Sequence, residues 1–294
     1  MRVLAVALSL LLLAACADDE VVTSDEPGAS QPTAAPGGDQ RYTATATVLE
    51  SPEHGPQLCL GGVQDSYPPQ CGGPDLVDWD WDDVPTKESA GGTTWGDYTV
   101  VGTWDGEALT LTEPPSDPQR PDVERDRDRF ASPCPEPDGG WQVVDLTTAT
   151  DAAMQEAMAY AEAQPSVGGV WIDQSINPAA QGDQVDEERM NDPSWLVLNV
   201  TFTDDLAAHE AAMRERWGGA LCVSEASVSM AELEEIRQAV EAEIGARLLY
   251  SSIDVVAGRL DVGVTVEDDL QDQFDARYGA GAVGIDAALR PVDR

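Results

Sequence analysis

Polar and apolar residues alternate from Tyr42 to Leu49, with threonine at every second position of the first six. Such alternation predicts a β-strand with one buried face. A similar run, Tyr98–Trp104, is separated from Ala108–Thr112 by a turn that contains Asp105 and Gly106. An Asp-Gly pair between two such runs predicts a β-hairpin. The first third of the chain is therefore expected to be rich in β-structure.

These strands place a β-rich domain in residues 41–115, and we expect a small, partly closed barrel of about five strands. Between the strands, Ser51 to Glu88 is rich in glycine, proline and acidic residues and is predicted to be a loop. Residues 116–140 combine prolines with alternating charges, which predicts a linker.

Strand and helix patterns alternate over residues 141–294, the predicted second domain. Trp141–Leu146 and Gly169–Asp173 have the composition of strands. Asp151–Ala163, rich in alanine, methionine and glutamate, is predicted to be a helix that begins after an N-cap at Thr150.

An internal repeat lies in this second domain. Val200–Leu206 is echoed by Val264–Leu270, and Arg216–Gly218 is echoed by Arg277–Gly279. Each copy predicts a strand, a helix that begins at a pair of aspartates, a glycine stop and a second strand. The aspartates expected to act as N-caps are Asp204, Asp205, Asp268 and Asp269.

A further helix, Met230–Ile244, is predicted between the copies, with Ser229 as N-cap and Glu232 at capping-box spacing. Leu248–Val266 is predicted to be a hairpin. Together these patterns predict an α+β fold, in which a small β-rich domain precedes an α+β sandwich with repeated β-α-β units.

The N-terminus has the pattern of a secretory signal. Its apolar run, Val3–Leu13, is shorter than the roughly 20 residues that cross a bilayer. The next residues, Leu13-Ala14-Ala15-Cys16, resemble the lipobox of bacterial lipoproteins. This resemblance implies that residues 1–16 form a lipoprotein signal, and that Cys16 receives a diacylglycerol thioether and becomes the new N-terminus.

Residues 17–40 are acidic and polar and are predicted to be a disordered tether. With acyl chains such as palmitate on Cys16, the expected location is the extracytoplasmic face of the cell membrane.

The 294 residues are 42% hydrophobic, which is enough for a sizeable core, and they carry a net charge of −39. A surface so acidic repels nucleic acid, so no nucleic-acid partner is expected. Lys87 is the only lysine.

Apart from Cys16, the chain has four cysteines: Cys59, Cys71, Cys134 and Cys222. An even number in an exported protein predicts two disulfides. Cys59 and Cys71 are the natural local pair, but three pairings are possible and the sequence does not choose among them.

The segment Asp78-Trp79-Asp80-Trp81-Asp82-Asp83 supports three interpretations. Its carboxylates at Asp78, Asp80, Asp82 and Asp83 could bind calcium. The two tryptophans could contact an envelope protein or a glycan. Alternatively, the rings are buried and the acids face water.

The two histidines offer weak catalytic signals. His54 could act as a general base, but no nucleophile motif accompanies it. His209 lies on a predicted helix and is expected to face solvent.

Two stretches, Thr47–Gly62 with Pro69–Pro74 and Pro133–Trp141, resemble those of uncharacterised actinobacterial exported lipoproteins, as does the Trp-Asp-Trp pattern at Trp79–Trp81. The resemblance implies an exported lipoprotein and brings no catalytic residues. We therefore expect a membrane-anchored, non-enzymatic binding or scaffolding protein, with a calcium-dependent module or an unrecognised extracytoplasmic hydrolase as alternatives.

Overall fold

The structure is a computed structural model that describes residues 40–84, 86–118, 129–181 and 187–292. The predicted signal, Cys16 and the predicted tether up to residue 39 lie outside the described residues. None of the described helices has the length and apolar content that a membrane-spanning helix requires.

The chain is a mixture of α-helices and β-strands, as predicted. The strands are β1 (Arg41–Ser51), β2 (His54–Cys59), β3 (Asp75–Val77), β4 (Glu88–Ala90), β5 (Thr93–Trp104), β6 (Ala108–Leu111), β7 (Val167–Asp173), β8 (Val197–Phe202), β9 (Ala220–Glu225), β10 (Leu248–Asp254), β11 (Arg259–Val264), β12 (Val283–Ala287) and β13 (Arg290–Pro291). The helices are α1 (Asp151–Glu162), α2 (Glu187–Met190), α3 (Leu206–Arg214), α4 (Met230–Ile244) and α5 (Leu270–Tyr278), with 3₁₀ turns at Pro178–Gln181, Pro193–Trp195 and Gly245–Arg247.

The first sheet is organised around β1, which pairs antiparallel with β5 from Arg41 to Glu50 and with β2 at its far end. β2 continues to β3, β3 pairs parallel with β6, and β6 pairs antiparallel with β5. The hydrogen-bonded neighbours therefore run from β1 through β2, β3, β6 and β5 back to β1. Residues on the inner side of these strands, such as Val48, Leu58, Val100 and Leu109, are fully buried.

The end of the described chain returns to this sheet. β13 pairs antiparallel with β1, with Tyr42 opposite Pro291 and Thr43 opposite Arg290, and the N–H of Val292 donates to the carbonyl of Arg41. Leu289, just before β13, is fully buried in the same core. The first strand and the last strand are thus neighbours.

The predicted repeat occupies two three-stranded sheets of the same order, β7-β8-β9 and β10-β11-β12. In each sheet the first two strands are antiparallel, and the second and third are parallel with a helix between them. A longer helix precedes each sheet, so the repeated unit is α-β-β-α-β.

Each repeat has its own core. In the first, Phe202, Met213 and Trp217 are fully buried, and the indole N–H of Trp217 donates to the carbonyl of Ala220 at 2.9 Å. In the second, Phe274 of α5 packs against the strands. The two similar sequences therefore have the same structural role: each packs one helix against a pair of parallel strands.

Both predicted disulfides form, and their connectivity is Cys59–Cys71 and Cys134–Cys222. Cys59 and Cys222 are almost completely buried, at 5% and 1% exposure. The second bridge connects the segment before α1 to the middle of β9.

The segment around Cys134 is also held by Asp173 of β7. Its carboxylate accepts hydrogen bonds from the backbone and the hydroxyl of Ser132, both at 2.8 Å, and from the backbone of Ser175 at 2.7 Å. Burial of this side chain favours its protonated form, but the hydrogen bonds from Ser175 and Ser132 outweigh burial and lower the pKa of Asp173.

Two local predictions were wrong. The expected loop between Ser51 and Glu88 contains the short strands β2 and β3. β2 forms a tight hairpin with the end of β1, and β3 pairs with β2 and with β6. The expected strand Trp141–Leu146 does not form, because the N–H groups of Val144 and Asp145 both donate to the carbonyl of Gly218.

The predictions of helix caps are confirmed in part. Ser229 and Glu232 form the complete capping box, and Thr150 accepts a hydrogen bond from Ala153. Asp205 and Asp269 occupy N-cap positions, but neither side chain makes a cap hydrogen bond. Gly279 ends α5 as predicted, whereas α3 ends before Gly218, at a C-cap residue Glu215.

We expect the two disulfides to contribute unequally to stability. They span 12 and 88 residues, and loop-closure entropy stabilises by about 3 and about 5 kcal/mol for loops of these sizes. Urea unfolding of the double variants Cys59→Ala/Cys71→Ala and Cys134→Ala/Cys222→Ala should show the larger loss for the second. Equal losses would contradict this ranking.

Candidate functional site

Trp79 and Trp81 are half-buried against the core of the first sheet. Their rings lie 5.2 Å apart, and Trp79 lies 5.0 Å from the ring of Tyr98, all at steep angles. The indole N–H of Trp81 donates to Glu50 at 2.5 Å. These contacts favour the interpretation in which the rings pack inward.

The carboxylates beside these rings face solvent. Asp80 accepts a hydrogen bond from the backbone of Asp82, and Lys87 donates to the carbonyl of Trp81 at 2.6 Å and lies 3.8 Å from Asp82. Across the described part of the chain, no three histidine, cysteine, aspartate or glutamate side chains form a group that could hold a metal ion. The calcium hypothesis therefore gains no ligand cluster from the fold.

His54 borders a cavity of about 430 Å³ together with Glu53, Gln70, Cys71 and Thr93. Its Nδ1 lies 2.8 Å from the carbonyl oxygen of Gly55. Within the described ranges, this carbonyl is the hydrogen-bond partner of the imidazole, and no hydroxyl or thiol reaches the ring. The hydrolase hypothesis therefore lacks a nucleophile bound to its base.

The prediction that His209 faces solvent was wrong. The imidazole stacks on Phe202 with ring centres 3.9 Å apart, its Nδ1 lies 3.1 Å from the hydroxyl of Tyr160, and its Nε2 lies 3.1 Å from that of Ser166. The carboxylate of Asp204 also lies 3.9 Å from Nε2. The contacts tie α3 to α1 and to the start of β7.

A further candidate site is a cleft of about 710 Å³ along β1. β1 is flanked by β13 at Tyr42 and Thr43 and by β2 from Thr47 onward, and the cleft lies along the stretch between these two neighbours. Its floor carries a row of threonines from β1 and β5, and its volume lies in the range of ligand sites. We call it the β1 cleft, lined by Thr43, Ala44, Thr45, Ala46, Thr47, Cys59, Leu60, Gly62, Val63, Asp97, Thr99, Asp286, Ala287, Ala288 and Arg290.

The polar floor follows from the strand period. Tyr42, Ala44 and Val48 point into the core, so the threonines between them point outward. On this outer face the hydroxyls of Thr45 and Thr99 lie 2.7 Å apart, and Thr47 donates to Asp97 at 2.6 Å. The floor is therefore a fixed array of hydroxyl and carboxylate groups.

The charged rim of the β1 cleft comes from the second repeat. Asp286 accepts hydrogen bonds from the hydroxyl of Tyr250 and from Arg290, each at 3.1 Å. Burial raises the pKa of Tyr250 and the negative charge of Asp286 adds to it, so the phenol stays protonated and donates at neutral pH. The rim thus offers a cation and a carboxylate, and the phenol of Tyr250 is hydrogen-bonded to that carboxylate.

Sequence reasoning missed this cleft. The threonine row was visible as alternation in β1, but the pattern predicts only a strand. One wall comes from Asp286 to Arg290, more than two hundred positions away, which pack there because β13 returns to β1.

Comparisons with known protein families, with curated proteins and with solved structures find no match to the chain.

Inward packing of Trp81 makes a stability prediction. Trp81→Ala removes a packed ring and the hydrogen bond to Glu50, and we expect the free energy of unfolding to fall by about 3 kcal/mol. The control is Trp195→Ala, since Trp195 is 46% exposed, and there the loss should be below about 1 kcal/mol. Equal losses in urea unfolding would favour a contact role for Trp81.

Proposed function

We propose that the chain is a lipid-anchored, non-enzymatic binding protein on the extracytoplasmic face of the cell membrane. The observation that carries this proposal is the pair of disulfides, because such bridges persist in oxidising compartments. The lipobox-like sequence ending at Cys16 supplies the anchor. The charge of −39 argues against nucleic acid as a partner.

The fine architecture that we propose is a small disulfide-stapled barrel followed by an α+β sandwich of two repeats. The barrel is supported by the strand order that returns to β1, with β3 parallel to β6. This connectivity is that of the five-stranded OB-type barrel. Fold analogy alone carries no function, so the ligand must be argued from the cleft.

The β1 cleft suits a ligand rich in hydroxyl groups, such as a glycan of the cell envelope. Thr43 offers a hydroxyl that both donates and accepts, and Thr47, which donates to Asp97, can still accept. Asp286 adds an acceptor and Arg290 adds a donor. A ligand with many hydroxyls can match such a mixed array, whereas an apolar ligand would remove these groups from water and give them no new hydrogen bonds.

The anchor would keep the cleft close to the membrane. Residues 17–40 reach at most about 80 Å even when fully extended. β1 begins at Arg41, and Thr43 already lines the cleft. A ligand bound there would therefore lie within the layer next to the membrane.

Lipid anchoring predicts labelling at one residue. In the native host, the wild-type chain should incorporate labelled palmitate and sediment with membranes, because Cys16 is the acceptor. Cys16→Ser should lose both properties, whereas the control Ser30→Ala should keep both. A wild-type chain that stays soluble and unlabelled would refute the anchor.

Glycan binding predicts a role for Asp286. Full-length chain in detergent, probed on an array of neutral glycans, should bind hydroxyl-rich members. Asp286→Asn should weaken binding about tenfold, because a charged hydrogen-bond acceptor is lost at the rim. Asp261→Asn, which alters a carboxylate outside the cleft, is the matched control. Absence of binding, or equal binding by both variants, would contradict the glycan assignment.

A further inference from the structure

A second pocket lies at the outer edge of β9, the last strand of the sheet β7-β8-β9. The carbonyl oxygen of Leu221 accepts a hydrogen bond from Arg214 at 3.5 Å, and that of Val223 lies 3.7 Å from the disulfide sulfur of Cys134. These carbonyls therefore face away from β8. Since the N–H and C=O of one strand residue project to the same side, the N–H groups of Leu221 and Val223 face the pocket too.

Residues 134–144 form the opposite wall of this pocket, which has a volume of about 430 Å³. The Cys134–Cys222 bridge fixes this wall to β9, and Trp141 packs beside the bridge and lines the pocket. The lining shares no residue with the β1 cleft. We call it the β9 pocket.

Arg214 is the cation of the β9 pocket. Its guanidinium donates to the carbonyls of Gly219 and Leu221, which uses two of its five N–H groups. It forms no ion pair with any carboxylate in the described part of the chain. Burial lowers the pKa of Arg214 and the charge of Glu210 acts in the opposite direction. A half-buried guanidinium that interacts with its acidic neighbour Glu210 without a close ion pair can still bind a carboxylate from a ligand.

Two acids also line the β9 pocket, Asp138 and Glu210. A ligand that carries only negative charge would be repelled by them and by the acidic surface as a whole. A ligand that carries both a carboxylate and a cation can pair its carboxylate with Arg214 and its cation with these two acids. The indole of Trp141 adds a face on which an alkyl chain or a cation can pack.

We propose that the β9 pocket binds the C-terminal end of a peptide whose last residue is basic. The α-carboxylate pairs with Arg214, the main chain lies along the outer edge of β9, and the basic side chain points to Asp138 and Glu210. Both parts of this arrangement are known modes of peptide recognition: addition of a strand to a sheet edge, and capture of a terminal carboxylate.

The test uses the full-length chain in detergent and the tripeptide Ala-Ala-Lys as probe. In calorimetric titration, the peptide with a free carboxylate should bind, and its C-terminal amide should bind about tenfold more weakly, because the charged partner of Arg214 is gone. Ala-Ala-Glu should also bind more weakly, since its side chain meets two acids.

Arg214→Gln should reduce binding of the free acid to the level of the amide. Arg216→Gln is the matched control, because Arg216 follows α3 closely and its guanidinium lies over the ring of Tyr160 instead. Absence of binding at millimolar peptide would overturn the proposal, as would equal binding of acid and amide. If Arg214→Gln unfolds, as judged by circular dichroism, the comparison of acid with amide on the wild-type chain decides alone.

Discussion

Pairing along β1 is the constraint on which the rest of the structure depends. One edge of this strand is bonded to β5 over ten consecutive residue pairs, and the other is shared between β2 and β13. The pairing with β5 brings the hydrogen-bonded order of the sheet back to β1. The pairing with β13 brings the residues that follow the second repeat next to the first strand. The gap between β2 and β13 is also where the β1 cleft lies.

Residues of the two disulfides line the three cavities described above. Cys59 lines the β1 cleft, its partner Cys71 lines the cavity beside His54, and Cys134 lines the β9 pocket. Cys59 ends strand β2, whereas Cys71 and Cys134 belong to irregular segments outside the strands. A covalent link holds such a segment in place where backbone hydrogen bonds are too few, so binding surfaces can remain preorganised.

Local patterns were sufficient wherever a segment folds on its own periodicity. The alternation in β1, the capping box at Ser229 and the echo of Val200–Leu206 in Val264–Leu270 all predicted real elements. Short strands without a long alternating run were missed: β2 has six residues and β3 has three. The β1 cleft could not be predicted because its rim and floor meet only through the pairing of Thr43 with Arg290.

The pairing of β13 with β1 places Arg41 and Val292 side by side, with the N–H of Val292 bonded to the carbonyl of Arg41. A short linker could therefore join these two residues and make the backbone circular without displacing a strand. A circular chain has fewer unfolded conformations. Head-to-tail closure would therefore stabilise the native state by lowering the conformational entropy of the unfolded state. The same geometry makes the fold a candidate for circular permutation, with new ends opened in an exposed turn elsewhere.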